Sequence, residues 1–575
     1  MTLLRDRALI GDRATVALVG ADGALDWCCF GSPDANPALY GLLDPDGAAV
    51  RIGAAHHPAQ STIGMQTYER GGAPIVRTIA SADGALYELA DHIRAGAVVR
   101  VLTVLRGTMT ASVTVTPGRV DGPVRRVERW SEGVSFAGVR VHGEAVGGNV
   151  VLHTGERTVV TVRSTRDPEG GLRLDEALAS EERLRNAWRR SLAEAAYDGL
   201  YGGAVTTSLM MLRMLTMRTS GALIGAPTTS LPVRIGSERN TDQRAAWLRD
   251  NATAVRVLEM LRLTEWADEI RMFLAEVGRR DLPLPPVVNT AGEPLRSETD
   301  LSLPGWRNTG PVLAGNRAGD GIDIAAMADV ALVLDARRHW PQLERIAGWL
   351  AEHGLDPDHG TWDERRRPIR HVASVVGAQV ALRALAAMAR ARDPLDVTVH
   401  GWLDGLAVLD TWLTTEGRFG SPPHAGWRRT ATDNSSDAAV LRWAASTFPW
   451  ALPVLPNDGP GDDVSRLATS VDQMLAQLGE GVFLNRHLPH VDDGLTPGQG
   501  PDVAASFQVV TALARLERWD AAHERMEGLC AYFQPLGLLS THVDLDTADL
   551  RGNLPSAAAH LALIEAALIL RLGPR

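Results

Sequence analysis

The chain has 575 residues, 45% of them hydrophobic and 22% charged, with a net charge of −11 and a pI near 5.8. That length exceeds one ordinary core and implies two or three domains, while the acidic balance excludes the concentrated basic surface that a nucleic-acid partner requires. All 58 cationic residues are arginine, which also excludes a lysine Schiff base and a phosphate-loop lysine.

The first segment, MTLLRDRALIGDR, has no apolar stretch long enough for a secretory signal. No run of about 18 apolar residues stands out as a membrane span, so a cytoplasmic location without a membrane partner is expected. Cys28 and Cys29 lie in an apolar run and read as buried packing residues. With Cys530 as the only other cysteine, no disulfide framework, metal site or cofactor is expected.

Up to about residue 165, short alternating runs (TVALV, AVVRVLTVL, ASVTVTP, RTVVTVRS) are separated by Gly-Asp-Pro turns. Strands at this spacing without intervening helices predict an antiparallel β-sandwich over 1–170. A charged helical stretch, LDEALASEERLRNAWRRSLAEA, follows and serves as a linker helix within 171–202. From 203 to 575 the period is helical. Twelve segments (203–218, 243–261, 263–279, 322–337, 341–353, 372–392, 395–414, 434–447, 463–478, 502–516, 518–531 and 556–571) make six hairpins, the number that closes an (α/α)6 barrel. The long connections near 281–321, 355–371, 414–433, 479–501 and 532–555 hold Trp, Gly, His and Asp residues. Loops of that kind carry a site on a helical scaffold.

Several segments in order resemble glycoside hydrolase family 15, the glucoamylases, glucodextranases and bacterial trehalases. They are LIGDRATVALVGADGALDWCCF, GAPTTSLPVRIGSERNTDQRAAWLRDNA, PVLAGN, Arg370-His371, Asp437-Ala438, GLLS at 537–540 and GNLP…HLALI. The resemblance implies inverting hydrolysis of α-glucosidic bonds by a protonated carboxyl and a carboxylate roughly 6.5–9.5 Å apart. It also implies that Arg249 and Asp250 grip sugar hydroxyls. Trp247, Trp306, Trp362, Arg370, His371, Asp323, Gln499, Thr541 and His560 are further candidates for substrate contact.

The resemblance also implies that both catalytic positions are altered. Asp363 stands where the family has its general-acid glutamate, shortening the reach by about 1.5 Å, a displacement that can cost on the order of 100-fold in rate. Glu364 follows it, read either as an inward acid or as a solvated partner of Arg365–Arg367. Thr541 stands at the general-base position. His542, with a pKa in the working range, and Asp544 are the neighbouring candidates for proton transfer. Around them Val375, Gln379, Gln508 and Ala557–Ala559 replace larger or more polar groups, so a roomier, less polar pocket is expected. The reading favoured on these grounds is acid- or base-assisted chemistry (cyclisation, isomerisation or unusual hydrolysis) on a bulkier metabolite or modified sugar. An α-glucosidase or trehalase, and a silent binding or regulatory homologue, are the alternatives. The expected partner is a small molecule, with homo-oligomerisation left open.

Overall fold

The computed structural model describes residues 3–55, 62–69, 71–124, 126–419, 426–446 and 462–573. Residue 447 of the expected 434–447 helix and residues 420–425 of the 414–433 connection lie outside these.

The first part of the chain builds two antiparallel sheets. The six-stranded one has the order Arg7–Gly11, Val16–Gly20, Ala24–Cys29, Ala49–Ala54, Thr108–Thr116, Val150–His153. The eight-stranded one runs Val127–Trp130, Gly133–Phe136, Val139–His142, Arg157–Ser164, Ala97–Arg106, Ala85–Arg94, Ala73–Ala82, Thr62–Glu69. The strand Ala24–Cys29 is buried at every position. The strand Ala49–Ala54 alternates, as one buried and one wetter face require. Asp91 and Arg100, both fully buried, face each other across neighbouring strands and join through two hydrogen bonds of 2.7 and 3.2 Å.

A helix, α1 (Leu174–Ala193), lies chiefly against the strand Ala73–Ala82, where Glu181 meets Arg77. Among the described residues, twelve further helices follow: α2 (Gly202–Leu215), α3 (Leu248–Met260), α4 (Thr264–Val277), α5 (Ile324–Val333), α6 (Trp340–His353), α7 (Val372–Arg392), α8 (Thr398–Thr415), α9 (Ala439–Ser446), α10 (Asp462–Leu478), α11 (Val503–Arg515), α12 (Trp519–Tyr532) and α13 (Ala557–Leu570). Contacts run from α3 to α5, α7, α9, α11 and α13, and return from α13 to α3. The other helices pack outside this cycle. That position explains the apolar sequences of α5, α11 and α13, which are covered on nearly all sides. Helix α7 is long and apolar enough by composition to pass for a membrane span, but it is mostly buried between its neighbours.

The two parts share one continuous core. Fully buried Trp27, in the first segment of the family resemblance, donates from Nε1 to the Pro227 carbonyl at 2.9 Å, in the second such segment. The Arg244 guanidinium lies 6.0 Å from the Trp27 ring centroid and donates to the Ala35 carbonyl at 2.7 Å. At the other end, the backbone amides of Leu4 and Arg5 donate to the buried Asp549 carboxylate at 3.1 and 3.4 Å. Trp27→Ala is expected to lower unfolding free energy by about 3–5 kcal/mol, as large-to-small core substitutions of Trp do. The check is a shifted denaturant midpoint at constant m-value.

Candidate active site

A cleft of about 160 Å3 opens where the starts of α3, α11 and α13 meet the long connections 355–371, 479–501 and 532–556. The helix starts are fixed locally. Asp502 accepts from the Ala505 amide at 2.7 Å and Ser556 from the Ala559 amide at 3.3 Å, so both cap helices at the cleft wall. Trp247, before α3, also lines the cleft. A Cβ at Gly225 would come within 2.9 Å of Trp247 Cδ1, which is why glycine stands there.

On one wall, Asp363 follows Trp362, whose Nε1 donates to Asp437 at 2.7 Å. Asp363 has φ of +54°, a left-handed conformation that aspartate tolerates better than most residues. Burial, reinforced by Glu298 and Asp323 and opposed by Arg365 and Arg317, raises its pKa to about 7. The group is thus largely protonated in mild acid, the state a proton donor needs.

Thr541 and His542 belong to another wall. Thr541 Oγ1 lies 3.1 Å from His542 Nδ1, and His542 Nε2 lies 3.9 Å from Asp502 Oδ2. The hairpin His542–Asp544 to Asp549–Arg551 and the amide–carbonyl bond from Thr541 to Asn553 hold this arrangement. Gly552, at φ +67°, passes so close that a Cβ would fall 1.9 Å from Thr541 Oγ1. Burial and the nearby Arg486 press His542 down to about 3, with Asp502 opposing. Arg486 pairs through Nε with Asp502 at 2.7 Å, its guanidinium 4.6 Å from the Trp362 ring centroid.

Five arginines and five carboxyl residues line the cleft, so the expected low polarity is not found. The replacements by Ala and Gln lie between charged groups on other elements. Buried polar atoms of Trp247 (Nε1), Thr361 (Oγ1), Arg442 (NH1), Gln508 (Oε1) and His542 (Nε2), all on cleft-lining residues, have no hydrogen-bond partner among the described residues. Unpaired buried donors and acceptors are costly, and a ligand rich in hydroxyls satisfies both kinds.

Residues 199–478 match the model of the glycosyl hydrolases family 15. This match covers just under half of the chain. The chain is 25% identical to the trehalase of Mycolicibacterium smegmatis over 98% of its own length and 90% of that protein's. It is also 25% identical to the trehalase of Mycobacterium tuberculosis over 98% and 89%. A bacterial glucoamylase crystallised with acarbose shares the fold, with a TM-score of 0.65 and 10% identity over all of this chain and 95% of the other.

The family resemblance named more residues than the cleft brings together. Arg249, Asp250, Trp247, Trp362, Asp363, Gln499, Thr541 and His542 line it. Arg249 donates from Nε to Asp250 at 3.3 Å and from NH1 to the Thr361 carbonyl at 2.6 Å. Gln499 lies against His487 at 3.0 Å. The other candidates stand elsewhere. Glu364 is neither inward nor solvated: it is buried and ion-paired with His371, Arg366 and Arg429. Burial would raise its pKa, but those charges pull it down to about 2, too acidic for a proton donor. His371 is held between Asp358 and Glu364 and pushed up to about 10 against the effect of burial. Asp544 is occupied by Arg551 at 2.6 Å. Asp323 caps α5 through the Ala326 amide at 3.1 Å. Arg370 donates to the Leu355 carbonyl and lies over Trp412. Trp306 packs with Arg7 and Arg307. His560 is buried against Ser208 at 3.0 Å and the Leu539 amide at 3.3 Å.

Arg239, Asp493, Arg442, Arg486, Asp502 and Glu565 line the cleft without having been candidates. For Arg442 and Glu565 a signal was present: each is a lone charge inside an otherwise apolar helical run.

Proposed function

We propose that the chain is an inverting α-glucoside hydrolase of trehalase type, its helices forming an (α/α)6 barrel and its sheets a β-sandwich. The contact cycle of α3, α5, α7, α9, α11 and α13 supports the barrel. The observation that carries the chemistry is one cleft lined by a carboxyl protonated up to about pH 7 and an imidazole unprotonated down to about pH 3.

Water attacks the anomeric carbon as the glycosidic C–O bond breaks. Asp363 delivers its proton to the departing oxygen. The water proton passes to Thr541 Oγ1 while the threonine's own proton moves to His542 Nδ1, and Asp502 stabilises the imidazolium. With a pKa of about 3, His542 is unprotonated and able to accept at neutral pH, although it is about tenfold weaker as a base than a carboxylate of pKa about 4. Arg249, Asp250 and the five unpartnered polar atoms bind the hydroxyls.

The test is incubation with trehalose, maltose and isomaltose, followed by proton NMR. Glucose appearing first as the β-anomer is expected; no glucose from any of them sinks the hydrolase reading. Thr541 at the base position and Ala504 and Ala558 on the wall favour a second reading, cyclisation, isomerisation or unusual hydrolysis of a bulkier metabolite. That reading gains if the three disaccharides remain intact.

A further inference from the structure

The cleft does not stop at the level of Asp363. On α13 the residues lining it are Ala558, Leu561, Ala562 and Glu565, spaced i, i+3, i+4, i+7, which places them on one helix face. Ala558 and Glu565 are also the only residues of α13 that are not fully buried. They are seven residues apart, or about 10.5 Å along the helix axis at 1.5 Å per residue. Open space therefore follows α13 for two turns into the helical domain.

The neighbouring helices agree. On α11, Ala504 and Gln508 line the cleft at i, i+4, and on α9 Arg442 does so. The upper wall is made by small and apolar side chains. The lower end is polar: Gln508 Oε1 and Arg442 NH1 are buried without hydrogen-bond partners, although Arg442 NH2 is engaged by Asp329. Among the described residues, the Glu565 carboxylate has only Arg256 within ion-pair distance, at 4.0 Å. An unpaired donor and an unpaired acceptor lining one cleft suit a hydroxyl, which gives one hydrogen bond and takes another. An isolated anion would be repelled by Glu565, and an isolated cation by Arg442 and Arg256.

We infer that the shaft along α13 is a second sugar subsite beneath the catalytic level, so that the enzyme accepts α-glycosides whose glycone carries a further hydroxylated unit and releases that glycone intact. This rests on the hydrolase reading above, whose bare form needs one glucosyl unit only. The reaction is unchanged: water adds to the anomeric carbon, the proton from Asp363 goes to the leaving oxygen, and the product is a disaccharide.

The experiment compares 4-nitrophenyl α-glucoside, α-maltoside and α-isomaltoside by chromatography of early products. Maltose or isomaltose appearing together with nitrophenol is expected; glucose alone, cut stepwise from the non-reducing end, overturns the inference. Ala562→Phe, which fills the shaft, is expected to lower the ratio of disaccharide to glucose released at least tenfold. Glu565→Gln, nearly isosteric, repeats the test if the phenylalanine variant does not fold. Calorimetry on Asp363→Asn separates the two readings: maltose or isomaltose binding at least tenfold more tightly than glucose supports the shaft even without turnover. Equal binding overturns the shaft even if simple glucosides are hydrolysed. No nitrophenol from any of the three counts against the hydrolase reading alone.

Discussion

Asp363→Asn is expected to lower kcat/KM for trehalose about 10^2–10^4-fold, the range contributed by a positioned general acid. The amide keeps the size and polarity of the carboxyl but has no proton to give. In the unsubstituted enzyme the pH profile of kcat/KM is expected to be a bell. Its alkaline limb falls near pH 7, where Asp363 loses the proton it must donate. Its acid limb falls near pH 3, where His542 takes up a proton and can accept no other. In the asparagine variant the alkaline limb disappears and the acid limb stays. An alkaline limb that survives the substitution would assign the donor to another group.

Glu364→Gln tests a different property of the same loop. The carboxylate compensates His371, Arg366 and Arg429, two of which are deeply buried. Removing it breaks three ion pairs, two of them to buried groups, which costs up to about 3–5 kcal/mol, while His371 keeps Asp358 and Arg429 keeps Asp433 and Asp437. The expected result at pH 5.5 is a loss of that size in chemical denaturation, together with a lowered His371 pKa in NMR titration. The choice of pH follows from the shifts. Glu364, depressed to about 2, contributes stability above its unfolded value, and that stability is lost as pH falls through about 2. His371, raised to about 10, contributes below its unfolded value and loses the contribution as pH rises through about 10. Between about 4.5 and 6.5 both contributions are fully present. A variant as stable as the parent would show the cluster to be dispensable.

The twelve helices described in the second half were legible because their patterns are strong, and at three of them the start is marked. Asp323, Asp502 and Ser556 announce the starts of α5, α11 and α13 by type and position, and each accepts from a backbone amide three residues on. Strand order was not legible. Nothing local tells Ala49–Ala54 to pair with Thr108–Thr116, a partner chosen by the burial of their shared inner face. In the site, Asp363, Thr541 and His542 could be found because short recognisable segments carry them. Glu364 and Asp323 were misplaced because a carboxyl reads the same whether it faces substrate, an arginine or a helix end. The bidentate pair of Arg239 with Asp493 joins residues 254 positions apart and has no local mark.

The bonds from Leu4 and Arg5 to Asp549 span 545 and 544 positions, so the first of these residues leave the ribosome long before their partner. The hairpin they brace carries His542 at its near end, paired in register with Arg551. The wall that carries Thr541 and His542 is thus synthesised late and closes onto sheets already made. The sheets act as a mould for the site as well as a neighbour to it. A helical domain produced without them would present the buried Asp549 with two of its donors missing, in the hairpin that carries His542.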